Sequence, residues 1–226
     1  MVPFRTPLRF WVGIACAIVT AILAPLSAPS ASADPDASPV TGDAQPAPII
    51  HPAPSDPSIP NRPEIIALPE VVPTQTRWAP QYPFPFDQMR NQVTPADVQA
   101  EAEMCQWFTT QYDTIDTQID TLLYLLAGTN GKYVNGVDAG ADILTANIFQ
   151  SVDFLAPRAQ ALTQATDFAG DVYFPLYQGR NFYDLWQQLH NVGISIQSRH
   201  SSWHIGPPRT LMEHYASGIR RSHVCR

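Results

Sequence analysis

The histidines near the carboxyl terminus come closest, in type and spacing, to a metal site. His200 and His204 lie four residues apart, so a helix would place both imidazoles on one face. Zinc binds imidazole and carboxylate groups, and three later residues could add ligands: Glu213, His214 and His223. However, the H-E-x-x-H motif is absent, and residues 200–204 lead into a Gly-Pro-Pro turn sequence. We therefore expect surface or half-buried histidines that bond to acids of the first helix, with no cofactor, and keep a zinc site as the alternative.

Aromatic side chains concentrate between residues 173 and 203, where they form the second candidate site. Sugars stack on exposed aromatic faces, and helical bundles hold apolar ligands between their helices. Aromatic residues near helix junctions also commonly fill a core. The pattern therefore predicts either packed core or a pocket for an apolar or carbohydrate ligand, lined by Tyr173, Tyr177, Tyr183, Trp186 and Trp203.

Catalytic motifs are not recognisable elsewhere in the chain. Three acids of the first helical pattern, Asp113, Asp116 and Asp120, lie off its apolar positions, which favours a solvated acidic face over acid–base chemistry. The loop from Gly128 to Lys132 lacks the spacing of a phosphate-binding loop and reads as a turn. A G-x-S-x-G elbow is also missing.

The first 33 residues have the layout of a secretory signal peptide. Arg5 and Arg9 precede an apolar run from Phe10 to Ala24, and an A-x-A sequence ends at Ala33. The run is short of the ~20 apolar residues that a membrane span needs. We expect cleavage near Ala33, a secreted or cell-envelope location and no transmembrane span after processing. The alternative is an uncleaved anchor.

Two cysteines, Cys105 and Cys225, remain after that cleavage. An exported chain meets an oxidising environment, so an even number of cysteines favours a disulfide. The bond would close a loop of about 120 residues and stabilise the fold by roughly 4–5 kcal/mol on the chain-entropy model. Free or intermolecular thiols are the alternative.

The charge excludes a general nucleic-acid-binding role. Loss of Arg5 and Arg9 with the leader reduces 13 basic side chains to 11 against 20 acidic ones, a net charge of −9. Lys132 is the only lysine, and Ala and Pro are abundant. In composition and layout the chain resembles exported proteins of high-GC actinobacteria, a resemblance that assigns no specific family and no role to any residue.

Charges of opposite sign are segregated along the chain. Acids dominate residues 97–171, whereas six arginines lie between Arg180 and Arg226. We expect the two stretches to attract each other within one domain. The alternative is a basic end that contacts an anionic wall polymer.

Two proline-containing segments precede the helical domain in the predicted mature chain. Residues 34–77 are rich in Pro and Ala and predict a disordered linker, because proline disfavours both helix and central strand. Two apolar pieces within it, at 65–68 and 71–72, could dock on the domain. Residues 78–93 carry four aromatic side chains and predict an extended segment that lies against the helices.

Residues 94–226 predict a helical domain. Thr94, Pro95 and Asp97 form a helix start, and apolar positions at alternating three- and four-residue steps continue to Leu126 before Gly128 ends the pattern. A second pattern begins near Val137 and extends to Ala169, with Pro157 expected to kink or break it. A third covers residues 182–196, weakened by Gly193, and a fourth runs from Thr210 to about Arg221. Short turns join the first two, which predicts an antiparallel hairpin.

The expected fold is therefore all-α: a bundle of three to four helices, built on a long antiparallel helical hairpin and preceded by a disordered Pro-rich segment. The functional hypothesis is a non-enzymatic exported protein of the cell envelope or extracellular space, which contacts an envelope or secreted protein or another envelope component. One alternative is a carrier for an apolar or carbohydrate ligand. Another is a metal-dependent hydrolase that uses the C-terminal histidines.

Overall fold

The structure is a computed structural model that describes residues 62–74, 77–167 and 169–226. The predicted signal peptide and residues 34–61 of the predicted linker lie outside the described residues. Within the described ranges, the helices are either too short or too polar to cross a membrane.

The architecture is an all-α bundle, as predicted. A short 3-10 helix precedes five α-helices, and one two-residue antiparallel strand pair lies between the third and fourth. In chain order the elements are the 3-10 helix Phe86–Gln92, α1 Pro95–Trp107, α2 Asp113–Gly128, α3 Asn135–Ala161, β1 Ala165–Thr166, β2 Val172–Tyr173, α4 Gly179–Gln197 and α5 Ser202–Ser222.

The first predicted helix is divided in two. A five-residue π-helical turn, Phe108–Tyr112, joins α1 to α2 without a break in the helical backbone, so five α-helices form four rods. The predicted antiparallel hairpin is confirmed, because α3 returns along both: Arg158 pairs with Glu103 of α1, and Asn147 bonds to Gln118 of α2. α4 and α5 then complete an up-down bundle.

The start of α1 forms as its sequence predicts. The Thr94 hydroxyl accepts a hydrogen bond from the Asp97 amide, and the Asp97 carboxylate accepts one from the Thr94 amide, a reciprocal capping box. The same carboxylate accepts from the Thr163 hydroxyl at 2.9 Å. Asp97 therefore fixes the beginning of α1 against the chain that leaves α3.

The core is continuous and runs the length of the bundle. The predicted apolar face of α1 and α2 is buried in it from Cys105 to Leu126. Gly193, expected to weaken α4, instead permits close packing: a Cβ there would lie 2.8 Å from Ile148 Cγ2 of α3. Gly218 has the same role between α5 and α4, where a Cβ would lie 2.6 Å from Asn181 Nδ2.

Three prolines lie inside helices, at positions where the sequence predicts a kink, a break or a turn. α3 continues through Pro157 to Ala161, and Ala169 lies beyond it. α5 begins at Ser202 rather than Thr210 and contains Pro207 and Pro208.

A contact with α4 explains why α5 begins before its prolines. Pro208 cannot donate the helical hydrogen bond to the His204 carbonyl. That carbonyl instead accepts from the Ser195 hydroxyl of α4 at 3.4 Å, so the early turn of α5 is compatible with its prolines.

Opposite charges meet inside the domain, as expected from their segregation. Arg209 of α5 lies 3.4 Å from Asp116 and 3.3 Å from Asp120 of α2. Arg220 pairs with Asp113, and Arg199 pairs with acids of α3. The predicted solvated face holds for Asp113 and Asp120, whose side chains are 80% and 50% exposed although arginines pair with them, whereas Asp116 is partly covered at 26%.

The sulfur atoms of Cys105 and Cys225 lie 2.06 Å apart, at disulfide distance. The pair joins α1 to the end of the chain beyond α5. Close by, the Trp78 indole N–H donates to the Val224 carbonyl at 2.6 Å. Residues 77–94 thus pack on the domain, although Phe86–Gln92 is a 3-10 helix where the sequence predicts an extended chain.

Candidate ligand-binding cleft

A cleft of about 590 Å³ opens at the end of the bundle where α4 begins. The 3-10 helix forms one wall, and the strand pair with the connector from β2 to α4 forms the other. Most of its lining is apolar, with polar side chains at the connector and at the start of α4. The lining residues are Pro85, Phe86, Met89, Asp167, Tyr173, Phe174, Leu176, Tyr177, Gln178, Arg180 and Asn181.

Local hydrogen bonds shape the strand-pair wall. The Asp167 carboxylate accepts from the amides of Ala169 at 2.8 Å and Asp171 at 3.0 Å, which closes a tight turn between the strands. Gly170 in that turn has a φ of +88°, a conformation that favours glycine. At the far side, the Tyr173 hydroxyl donates to Gln92 Oε1 at 3.0 Å. The last contact ties the strand pair to the 3-10 helix, so the two walls are held together.

Aromatic rings form the surface of the cleft and the layer behind it. Phe86 and Tyr177, which both line the cleft, pack edge-on against each other, with ring centroids 5.1 Å apart. Phe174 packs on Tyr183 at 5.4 Å, and Tyr183 packs on Trp186 at 5.5 Å. The rings behind the cleft therefore support the apolar wall in a fixed position.

The polar groups of the cleft already have partners. The Asn181 amide donates to Gln178 Oε1, and Arg180 lies 3.5 Å from Asp184 one turn later. Partial burial raises the pKa of Asp184, and the neighbouring guanidinium opposes that rise. Arg180 extends into solvent, with 69% of its side chain exposed, and Asp167 is exposed as well. The cleft thus offers apolar contact area and one exposed cation at its rim.

The sequence located part of this cleft. Of the five aromatic residues proposed as ligand-binding, Tyr173 and Tyr177 line it, and Tyr183 and Trp186 lie behind it. Trp203 is in the first turn of α5 and is 79% exposed.

Two lining residues from the 3-10 helix, Phe86 and Met89, were missed as site residues. The aromatic composition of residues 78–93 was the available signal. It predicted that the segment docks, without indicating where.

The histidine pair lies apart from the cleft. The rings of His200 and His204 are 4.9 Å apart, and His204 Nδ1 lies 3.3 Å from the Ser201 hydroxyl. Glu213, the carboxylate considered as a further ligand, pairs with Arg209 at 3.0 Å. Among the described residues, no three His, Cys, Asp or Glu side chains are grouped so that they could hold a metal ion.

Two acids of α1 are buried, Asp97 and Glu101, and Asp97 has the bonds of the capping box. Glu101 of α1 is fully buried, and neither carboxyl oxygen has a hydrogen-bond partner among the described residues. Burial, together with the nearby Asp97 carboxylate, raises the pKa of Glu101 well above its usual value. The group is not part of the cleft lining, and its effect falls on the stability of the bundle.

Comparisons with known proteins return no similarity: the chain matches no protein-family model, no curated protein and no solved structure.

Proposed function

We propose that the protein is an exported, non-enzymatic binding protein that holds an apolar ligand in the cleft between the 3-10 helix and the start of α4. The observation that carries the proposal is the cleft itself, whose aromatic walls are fixed to each other by the bond from Tyr173 to Gln92. Export remains a prediction from residues 1–33.

The size and lining of the cleft support a small-molecule ligand. Pockets for such ligands typically have volumes of about 300–1,000 Å³ and mostly apolar walls with few polar groups. The cleft, at about 590 Å³, falls inside that range. Residues from three separate elements converge on it, as in sites between packed helices.

The polar groups favour an apolar ligand over a carbohydrate. A sugar needs several hydrogen-bonding partners for its hydroxyls, because burial of unpaired polar groups is costly. In this cleft Gln178 bonds to Asn181, and Asp167 is engaged with main-chain amides. Arg180, exposed at the rim, would suit an apolar molecule with an acidic end.

Binding of a neutral naphthylamine fluorophore tests the cleft. We expect Tyr177→Ala to weaken binding about tenfold, near 1.4 kcal/mol, because the ring forms one wall. The matched control is Trp203→Ala, which removes a more exposed ring outside the cleft and should leave the affinity within about twofold. Equal effects of the two substitutions, or no effect of Tyr177→Ala, would contradict the cleft as the binding site.

Export has its own test. Amino-terminal sequencing of protein collected outside the cytoplasm should begin at Asp34, after the A-x-A sequence. Native mass spectrometry of the same sample should show a retained apolar molecule. An intact amino terminus on protein from the cytoplasm would refute the export proposal and leave the cleft proposal to the fluorophore titration.

A further inference from the structure

Residues 62–74, hereafter the strap, lie in extended form along a groove formed by α1, α2 and α3. The strap runs antiparallel to the first helices: Pro63 contacts Thr121 of α2, and Val72 contacts Gln106 of α1. The sequence assigned these residues to the linker and suggested only that their apolar pieces could dock. The packed part of the chain therefore begins before residue 78.

The strap presents its main chain to the groove at three-residue intervals. A polyproline II helix has three residues per turn, so every third carbonyl points to the same side. Each of four such carbonyls accepts a hydrogen bond from a side chain of the groove: Pro63 from Thr121 at 3.2 Å, Ile66 from Gln118 at 3.0 Å and Asn147 at 2.7 Å, Pro69 from Gln111, and Val72 from Gln106 at 2.8 Å.

Two of the groove amides also accept from the strap. Asn147 Oδ1 receives the Leu68 amide at 2.9 Å, and Gln106 Oε1 receives the Thr74 amide at 3.0 Å. Each of these two side chains thus accepts a hydrogen bond from one main-chain N–H of the strap and donates one to a main-chain carbonyl of the strap. This pairing recognises an extended backbone, whatever its side chains.

Apolar side chains of the strap follow the same interval. Ile65, Leu68 and Val71 lie three apart and pack on the core, whereas Ile66 and Val72 are 52% and 68% exposed. The Ile65 side chain packs closely against Gly140 of α3. A Cβ at Gly140 would lie only 3.2 Å from Ile65 Cδ1.

The strap covers the amide side chains of the groove. Gln118, Asn147 and Gln111 are at most 6% exposed, although amides are usually solvated. Asn147 also donates to Gln118 at 2.9 Å, and Ser151 donates to Gln111 at 3.3 Å, which orients the amides. With the strap docked, these amides find their partners in its main chain, since burial of an amide without partners is costly.

We propose that this groove is a peptide-binding site that accepts the strap of a second copy of the chain as well as its own. Residues 62–74 are the sequence that the pockets and amides fit, and every copy carries them. The contacts do not depend on which copy supplies the strap, which is the condition for exchange between identical chains. Docking of a chain's own strap benefits from high effective concentration, so exchange increases as the protein is concentrated.

Complementary variants of the full chain test the proposal. One variant, Ile65→Asp with Leu68→Asp, has an intact groove and a defective strap. The other, Gln118→Ala with Asn147→Ala, has an intact strap and a defective groove. We expect each to sediment as a monomer alone and the mixture to form a 1:1 complex, since one copy supplies the strap and the other the groove.

A control variant and a competitor sharpen the test. Ile66→Asp alters an exposed side chain and leaves strap and groove intact, so at the same concentration it should not replace the strap-defective variant in the 1:1 complex, because its own strap fills its groove. A free peptide of residues 62–74 should dissociate the complex. Absence of a complex between variants with wild-type helical circular dichroism would overturn the proposal. Binding of the free peptide without binding of the second copy would also overturn it, in favour of a site for other extended peptides.

A second measurement covers the case in which the double variants do not fold. Wild-type chains labelled with donor and acceptor fluorophores in separate batches should show energy transfer that increases with concentration and disappears on dilution. Transfer that stays at the background level up to the solubility limit would contradict exchange.

Discussion

The strap groove and the aromatic cleft are two recognition surfaces that use opposite chemistry. In the groove, buried amides such as Asn147 bond to the main chain of the strap. In the cleft, the polar side chains are paired with each other, and rings such as Tyr177 provide the contact surface. The groove is therefore selective for an extended backbone, whereas the cleft is suited to apolar surface of many shapes.

The difference follows from where the polar groups find partners. With the strap docked, Gln118 is 1% exposed, and its amide donates to the Ile66 carbonyl in place of water. Arg180 at the cleft remains largely solvated and needs no such partner. Loss of a strap contact should thus affect stability, and loss of a cleft contact should affect ligand affinity.

The largest effect should come from the bond between Cys105 and Cys225, which lies beside the groove. Cys105 lies one residue before Gln106, which binds the strap. Its partner Cys225 follows Val224, whose carbonyl accepts a hydrogen bond from the Trp78 indole N–H. Replacement of both cysteines by serine should lower the free energy of unfolding by roughly 4–5 kcal/mol, the estimate for an open loop of this length. Urea denaturation measures the loss. Equal stability of oxidised wild type and the variant would show that the link is not formed.

Next in size is the strap itself. Asn147→Ala removes bonds to Leu68, Ile66 and Gln118 and leaves buried groups unpaired, so we expect a loss of about 2–3 kcal/mol. Asn191→Ala, on the exposed side of α4, is the matched control and should change stability by less than ~0.5 kcal/mol. Fluorophore affinity should be unchanged in both. A loss of affinity in Asn147→Ala would mean that groove and cleft are coupled.

Glu101 should give a pH-dependent effect on the bundle between the two surfaces. The pKa of Glu101 is raised in the folded state, so its contribution is most favourable below the unfolded value near 4.5 and is lost as pH rises through the folded pKa. Glu101→Gln stays neutral at every pH. At a pH above the folded pKa of Glu101, the variant should be more stable than wild type by roughly 1–2 kcal/mol, the usual scale for substitution of a buried polar group. Urea denaturation at pH 4 and pH 8 measures both. A gain that is larger at pH 4 than at pH 8 has the wrong sign.

The smallest effects should separate two arginines. Arg209 is 18% exposed and lies among Asp116, Asp120 and Glu213, so Arg209→Gln should destabilise the fold by about 1–2 kcal/mol, less at high salt. Arg180→Gln removes a single exposed pair at the cleft rim and should change stability by about 0.5 kcal/mol or less. Thermal unfolding at low and high salt compares them. A larger loss in Arg180→Gln would show that the cleft rim is structural.

Local signals predicted most of the fold. The Thr94 cap, the apolar seam and the cysteine pair depend on short-range pattern or on simple counting, and all three are confirmed. The start of α5 was misplaced because the compensation for Pro208 comes from Ser195 on another helix. Proline acts locally, but its consequences depend on tertiary partners.

The two surfaces were predictable to different degrees. Tyr173 and Tyr177 belong to an aromatic cluster visible in the sequence, so two of the eleven lining residues of the cleft were predicted. The groove was missed because Gln111, Gln118 and Asn147 look like surface residues on a helix. Only the packing of a segment more than 40 residues away identifies them as buried donors.

Hydrogen exchange of the full chain, with and without the naphthylamine fluorophore, tests the contrast between groove and cleft most directly. The account predicts slow exchange at the Leu68 and Thr74 amides, unchanged by the fluorophore, and added protection at residues 172–181 when it binds. Two results would contradict it: exchange of the Leu68 amide as fast as in an unfolded chain, or protection by the fluorophore that appears in the strap rather than around Tyr177.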